Sequence, residues 1–321
     1  KIILMHFEKS VDTFVVKEVL YTTLDDGKYF YYLLEKKGIA TLPAIKLLED
    51  QNNAKIYFSG LKDKDSHSYQ WICTQTELLE PIDERIKIEF VGKDSKRIFV
   101  GMHTSNRFEI KLENVNEKEK FFLKKAGKLV FPNYFDDQRF DENSLEFGKA
   151  LFEEKWENAL KIVLTKKSPF DSEFSIQIKD FIEKNWLDWI TLCQSELLPP
   201  NKKKVFEYLL NHPIDFKNAI LFCNKKQLSI ACRAFQAQKF NDLLLEQIIK
   251  TSKGQKFMKI NDKKAPIVFK KNSIKRKLVI QPVFPKKKAL IRKTFFTPKN
   301  FKASFENKNA LLFFELPKGS Y

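Results

Sequence analysis

Short stretches of alternating apolar and polar side chains dominate the first 115 residues of this chain. Such alternation is typical of half-buried antiparallel strands. One segment, Leu42–Glu49, instead has apolar residues at i, i+3 and i+4, which predicts a helix. The first 115 residues read mostly as strands, several of which alternate in this way; the seven predicted strands are Phe14–Leu20, Tyr29–Leu34, Lys55–Phe58, Tyr69–Cys73, Ile86–Phe90, Arg97–Val100 and Phe108–Leu112.

Between about residues 144 and 250 the apolar period changes to that of amphipathic helices. A strand pattern returns at Ala310–Pro317. Strand-rich ends around a helical middle predict an α/β (α+β) protein in which a helical segment is inserted into one sheet domain. The helical pattern covers Leu145–Glu157, Phe174–Trp189, Lys202–Leu210 and Leu228–Lys250.

The positive charge of the chain is concentrated in one block. The 321 residues include 58 Lys and Arg against 41 Asp and Glu, a formal net charge of +17. Residues Lys250–Lys293 hold 16 of the basic residues and one acid, Asp262, so this block carries +15. The β-rich apolar stretches Ala265–Phe269 and Lys277–Phe284 within it favour a folded surface. Such a surface suits nucleic acid or an acidic membrane, and the alternative is a merely solvated lysine-rich face.

Several classes of protein lack their usual sequence signals here. The chain has neither a run of about 18 apolar residues nor a signal-peptide pattern, which predicts a cytoplasmic protein without membrane association. Its four cysteines form no Cys-x-x-Cys pair, so we expect reduced thiols and no metal site. Glycine-rich dinucleotide and P-loop motifs are missing, and the four histidines accompany no recognisable nucleophile motif.

The most informative stretch is Tyr57–Trp71, which reads as a strand, a loop and a second strand. The loop carries Lys62 and Asp63. A carboxylate between two strands can face a cleft while rigid backbone fixes its position, as catalytic carboxylates require. Taken without further motifs, Asp63 fits an ordinary turn residue as well.

The string Gly60-Leu-Lys-Asp-Lys64, with Gln70 downstream, resembles the signature loop of the TruD family of tRNA pseudouridine synthases. Glycines usual in the family are replaced by Ser105, Asp136 and Asp141. Further strings resemble family motifs in collinear order: Phe14-Val-Val-Lys-Glu18, Gly38-Ile-Ala-Thr41, Asn106-Arg-Phe108, Pro132-Asn-Tyr-Phe-Asp-Asp-Gln-Arg-Phe140, Phe240-Asn241, Arg292 and Leu316-Pro-Lys-Gly-Ser-Tyr321.

This resemblance implies a pseudouridine synthase core, built on a mainly antiparallel mixed sheet with flanking helices. The core would comprise residues 1–141 and 289–321, with a mainly helical TRUD domain inserted at 142–288. The implied reaction isomerises a D-arm uridine of tRNA, at position 13, to pseudouridine. It requires no cofactor and no metal, and the implied enzyme is a monomer with tRNA as its partner. The rival interpretation is a non-catalytic RNA-binding protein or RNA chaperone on the same fold.

The resemblance also assigns roles to single residues. Asp63 is the catalytic carboxylate, Phe108 packs on the flipped uracil, and Asn106 positions Asp63 or the base. For Phe108 the alternative is an ordinary core residue of a strand. The other implied substrate-binding residues, which would support the pocket or contact RNA, are Lys62, Glu18, Gln138, Arg139, Arg292 and Tyr321. The alternatives are that Lys62 is a structural or phosphate-facing residue, Glu18 a solvated strand residue and Gln138 a turn residue. Arg139 and Arg292 would then be ordinary surface ion-pair partners.

Overall fold

The computed structural model of the chain describes residues 7–135, 142–169, 171–251, 257–260, 263–266, 274–284 and 288–320. The chain forms two compact units. The first comprises Lys1–Phe131 and Phe295–Tyr321, and the second comprises Pro132–Thr294. These divisions lie ten and six residues from the domain boundaries expected from the sequence. The assignment of the units as catalytic and TRUD domains stays a prediction.

The first unit is built on an eight-stranded sheet. From one edge to the other, seven of the strands are β13 (Lys299–Glu306), β14 (Asn309–Pro317), β6 (Ser105–Leu112), β1 (Phe14–Val19), β4 (His67–Thr74), β2 (Tyr29–Lys37) and β5 (Ile86–Asp94), and β3 (Tyr57–Phe58) pairs with β4. Only the β1–β4 pairing is parallel, so among the described strands the sheet is mixed and mainly antiparallel, as predicted. The other elements of this unit are the helices α1 (Thr41–Asn52) and α2 (Glu117–Ala126) and the short strand β12 (Phe295–Phe296).

Helices α1 and α2 cover parts of one face of this sheet. Directly paired residues on neighbouring strands share a face, so the pairing register identifies which side chains lie together. α1 buries Ala44 and Leu48 against Leu34 of β2, and α2 packs Leu123 near Leu312 of β14. A capping box begins α2, where the Asn116 side chain accepts from the Glu119 N–H and the Glu119 carboxylate accepts from the Asn116 N–H.

The second unit is mainly helical and has its own hydrophobic core. Ala231, in helix α9 (Lys225–Thr251), packs so closely on helix α3 (Glu142–Phe152) that a Cβ at Gly148 would lie 2.4 Å from the Ala231 carbonyl oxygen. Gln236 of α9 donates to the carbonyls of Gln281 and Lys288 at 3.0 and 3.1 Å, which ties the basic segment to the helices. The elements are β7 (Phe131–Pro132) at the boundary, then α3 (Glu142–Phe152), α4 (Trp156–Thr165), α5 (Glu173–Lys184), α6 (Trp189–Gln194), α7 (Pro200–Asn211), α8 (Phe216–Ala219), a 3₁₀ turn (Ile220–Phe222), α9 (Lys225–Thr251), β8 (Phe257–Ile260), β9 (Lys263–Pro266), β10 (Lys277–Ile280) and β11 (Leu290–Lys293).

Most predicted elements are present, and three predictions were wrong in detail. Arg97–Val100 is not a strand, because Ile98 instead turns inward and its N–H donates to the Cys73 thiol at 3.2 Å. The predicted helices across Glu154 and Leu187 are each broken in two, since both residues have left-handed backbone with φ of 56° and 77°. No helix within the described ranges is both long and apolar enough to cross a membrane.

Candidate active site

One face of the sheet in the first unit carries the polar residues that the sequence singled out. Glu18 of β1 pairs directly with Asn106 of β6, and Val16 pairs with Phe108. On the other side of β1, Val16 pairs with Ser68 of β4, which in turn pairs with Lys36 of β2. Because paired and alternate residues share a face, these side chains lie on the face that α1 and α2 also contact.

Asp63 lies at the edge of this face, in the loop between β3 and β4. Its carboxylate is 59% exposed and forms an ion pair with Lys9, which precedes β1. Its backbone carbonyl accepts hydrogen bonds from Lys36 Nζ at 2.8 Å and Ser66 Oγ at 2.9 Å. The structure therefore combines an exposed carboxylate, a cation paired with it, and a backbone held by hydrogen bonds from Lys36 and Ser66.

Lys62 and Glu18 form a buried ion pair beside Asp63. The Lys62 and Glu18 side chains are 8% and 0% exposed, respectively. Glu18 is therefore not a solvated strand residue, which was the alternative to a role in the site. The second carboxylate oxygen of Glu18 accepts from the Trp71 N–H at 3.1 Å. Such a pair stabilises only when its remaining hydrogen-bonding sites are filled, and the Trp71 N–H fills one of those on Glu18. The Lys62 ammonium consequently holds the signature loop against the sheet.

His103 extends this buried network. Its Nδ1 lies 2.6 Å from Ser59 Oγ and 3.9 Å from Glu18 Oε1. Burial lowers the pKa of His103, the Glu18 carboxylate raises it, and the Lys62 and Lys318 charges lower it further. The neutral form of His103 is accordingly favoured at neutral pH.

Gln70 and Thr41 fix the backbone on either side of Lys62. Thr41 Oγ1 donates to Gln70 Oε1 at 2.9 Å and accepts from the Lys62 N–H at 2.7 Å. Gln70 Nε2 donates to the Gly60 carbonyl at 3.3 Å. Both residues belong to strings that the sequence analysis quoted, and the structure brings those strings together around one loop.

Asn106 and Phe108 lie on β6, on the same face as Glu18. Asn106 Oδ1 is buried and, within the described residues, has no hydrogen-bond partner, and the same holds for Ser68 Oγ. The half-buried Phe108 ring stacks on Phe314, with centroids 5.3 Å apart and planes at 22°. A buried polar atom without a partner costs about 1–3 kcal/mol, which makes Asn106 an unusual residue of this face.

Lys36 is the least expected member of the site. It is fully buried, and its ammonium donates to the carbonyls of Ile39 and Asp63. Burial lowers the pKa of Lys36, the Lys62 charge adds to this effect and the Asp63 charge opposes it, so that the pKa is about 8. Neither Lys9 nor Lys36 was singled out from the sequence, since a single lysine among 58 basic residues carries no local signal.

Arg292 lies in the second unit, where it is buried and fully engaged. Its Nε donates to the Asn133 carbonyl at 2.9 Å, one Nη donates to Asn133 Oδ1 at 2.8 Å, and the guanidinium lies 3.8 Å from the Phe135 ring centre. Because Arg292 is buried, it does not lie at the surface, where the ion-pair interpretation placed it. The remaining candidates, Gln138, Arg139 and Tyr321, lie outside the described residues.

Part of the basic block forms the β10–β11 hairpin. Lys277 and Lys293 are directly paired across it and both are exposed, as are Lys275, Arg276 and Lys288 nearby. These side chains present positive charge on an ordered backbone. Within the described ranges, no group of three His, Cys, Asp or Glu side chains is arranged to hold a metal ion.

Comparison with known proteins identifies the family. The family model described as tRNA pseudouridine synthase D (TruD) matches residues 3–276. A probable tRNA pseudouridine synthase D 1 of Methanococcus maripaludis is 31% identical over 258 residues, which cover 75% of this chain and 66% of that protein. The tRNA pseudouridine synthase D of Aquifex aeolicus is 27% identical, with 99% and 96% covered.

A solved structure has the same fold. The crystal structure of a putative tRNA pseudouridine synthase D from Methanosarcina mazei superposes with a TM-score of 0.65 at 19% identity, covering 99% of this chain and 91% of that one. The chain spans only about two thirds or less of the length of some curated relatives. The family match extends over most of the sequence and includes the Asp63 loop, so this chain belongs to the tRNA pseudouridine synthase D (TruD) family of isomerases.

Proposed function

We propose that this protein isomerises a D-arm uridine of tRNA, at position 13, to pseudouridine, with Asp63 as the catalytic carboxylate. The observation that carries the proposal is the exposed Asp63 carboxylate, paired with Lys9 on a loop whose backbone is fixed by Lys36. Family membership supports the reaction, and the motif resemblance supports the position. Because tRNA is the substrate, we place the reaction in the cytoplasm, and we expect a monomer to carry it out.

The chemistry breaks the bond between C1′ of the ribose and N1 of uracil and forms a bond from C1′ to C5. The proton on C5 is lost and N1 gains one, so the reaction is an isomerisation without oxidant, reductant or transferred group. An ionised carboxylate can begin it, either by attack on the sugar or by removal of a sugar proton. The Lys9 ammonium forms an ion pair with the Asp63 carboxylate that either route uses.

The target base must leave its stack to reach Asp63. In our proposal the uracil packs on Phe108, whose ring is supported from behind by Phe314. The unpartnered Asn106 amide oxygen accepts a hydrogen bond from the base or its sugar. Lys275, Lys277 and Lys293 contribute sequence-independent attraction to phosphates.

The proposal is tested by measuring pseudouridine in unmodified tRNA transcripts incubated with wild type, Asp63→Asn and Asp65→Asn, without added cofactor. Asp65 is an exposed carboxylate two residues away, so its variant removes the same charge from the same loop. We expect product at D-arm position 13 with wild type and Asp65→Asn, and none with Asp63→Asn. Tight tRNA binding without product from any protein would favour the RNA-chaperone alternative.

A further inference from the structure

Lys36 occupies an environment that lysines rarely occupy. It lies near the end of β2 and is 0% exposed, whereas lysine is almost never fully buried unless it is paired with a carboxylate. Within the described residues no carboxylate oxygen lies within ion-pair distance of its ammonium, and the charge of Lys62 on the neighbouring loop opposes it. A buried cation in such surroundings costs stability, so another advantage must account for its presence here.

The hydrogen bonds of Lys36 show what that advantage is. Its Nζ donates to the carbonyl of Ile39 at 2.7 Å and to the carbonyl of Asp63 at 2.8 Å. Ile39 lies in the turn that leads from β2 to α1, and Asp63 lies in the β3–β4 loop. The side chain therefore connects a rigid turn to the one residue whose carboxylate performs the proposed chemistry. Charge-assisted hydrogen bonds of this kind are about twice as strong as neutral ones.

Other contacts hold the loop on either side of Asp63, and the Lys9 ion pair holds its carboxylate and not its backbone. Thr41 binds the Lys62 N–H, and Gln70 binds the Gly60 carbonyl. In the described structure, the side-chain donors to the Asp63 carbonyl are Lys36 and Ser66, and Ser66 lies in the same β3–β4 loop as Asp63. Lys36 is thus the donor that ties Asp63 to the sheet.

We propose that Lys36 is a positioning residue, which fixes the Asp63 backbone so that the carboxylate keeps its productive position during catalysis. The inference rests on the proposed function. Lys36 is covered by protein and does not contact tRNA, so it should affect the chemical step and leave tRNA binding unchanged. Displacement of a reacting group by about 1 Å can lower the rate by about 10²-fold.

The test compares Lys36→Met with wild type in single-turnover and steady-state assays of pseudouridine formation. Methionine has a similar length and no donor. We expect kcat to fall by about 10- to 100-fold, KM and the Kd for tRNA to stay within about twofold, and Tm to be unchanged or higher because a buried cation is removed. The matched control is Lys202→Met, which removes a partly buried lysine from the second unit and should leave kcat unchanged.

The outcomes separate this inference from the function on which it rests. If wild type makes no pseudouridine, the proposed function fails. If wild type is active and a folded Lys36→Met protein matches its kcat, the positioning role fails alone. A variant that does not fold is replaced by Lys36→Gln, which keeps a shorter donor. Loss of folding in both variants, or a fall in Tm with kcat retained, would show that Lys36 only stabilises the folded state. Either result would overturn the inference.

Discussion

Replacement of Glu18 by alanine should destabilise the first unit far more than loss of a surface carboxylate would. Glu18 is completely buried, binds the Lys62 ammonium, and accepts from the Trp71 N–H. Its removal leaves Lys62, only 8% exposed, as an uncompensated buried charge. Breaking a buried pair in this way costs about 3–5 kcal/mol. That loss corresponds to a fall in Tm of about 6–20 °C for a domain of this size.

The assay is urea unfolding followed by far-UV circular dichroism, with the free energy of unfolding obtained by linear extrapolation. Glu89→Ala is the control, since Glu89 is an exposed residue of β5 and its loss should change stability by less than about 0.5 kcal/mol. The double variant Glu18→Leu with Lys62→Met should recover most of the stability, because both charges leave together. A loss below about 1 kcal/mol for Glu18→Ala would refute the argument that this pair is buried and essential to the loop.

Three further outcomes follow from the described contacts. The native pKa of Lys36, about 8, lies below its ordinary 10.5, so the unfolded state binds this proton more tightly. The free energy of unfolding should therefore increase between about pH 8 and 10.5, by up to about 3 kcal/mol. Urea unfolding midpoints measured across this pH range should not show the increase in Lys36→Met. Phe108→Ala should lower kcat/KM by about 10- to 100-fold through loss of about 1–3 kcal/mol of base stacking. An unchanged kcat/KM would show that Phe108 is an ordinary core residue of its strand. Changing Lys275, Lys277 and Lys293 to Glu should flatten the plot of log Kd for tRNA against log salt by up to about 0.7–0.9 per lost phosphate contact, whereas an unchanged slope would show a merely solvated face.

The sequence predicted those parts of the fold that local patterns determine. Alternation located the long strands, because one half-buried face requires it. Arg97–Val100 is also predicted as a strand, yet Ile98 covers the opposite face of the sheet beside Tyr31 and Cys73 without joining a strand. The breaks at Glu154 and Leu187 depend on left-handed backbone at residues that rarely adopt it, and no local signal marks them.

The candidate site was predictable only where its residues are adjacent in the sequence. The motif resemblance located Lys62 and Asp63, but the partners of these residues lie 44 and 54 positions away along the chain. Lys9 reaches Asp63 because β1 and β4 are parallel, which places the beginnings of both strands at the same edge of the sheet. Without the register of the sheet, neither ion pair could be deduced from residue types and spacing.

The strand order also determines when the site can be completed during synthesis. β6, which carries Asn106 and Phe108, has β1 on one side and β14 on the other, and the whole of Pro132–Thr294 is translated between β6 and β14. Until β14 emerges from the ribosome, β6 is an unpaired edge with aromatic residues, open to pairing with another nascent chain. Phe314, which supports Phe108, arrives with that late strand. Catalytic competence and protection of this edge from aggregation are therefore acquired in the same final step of folding.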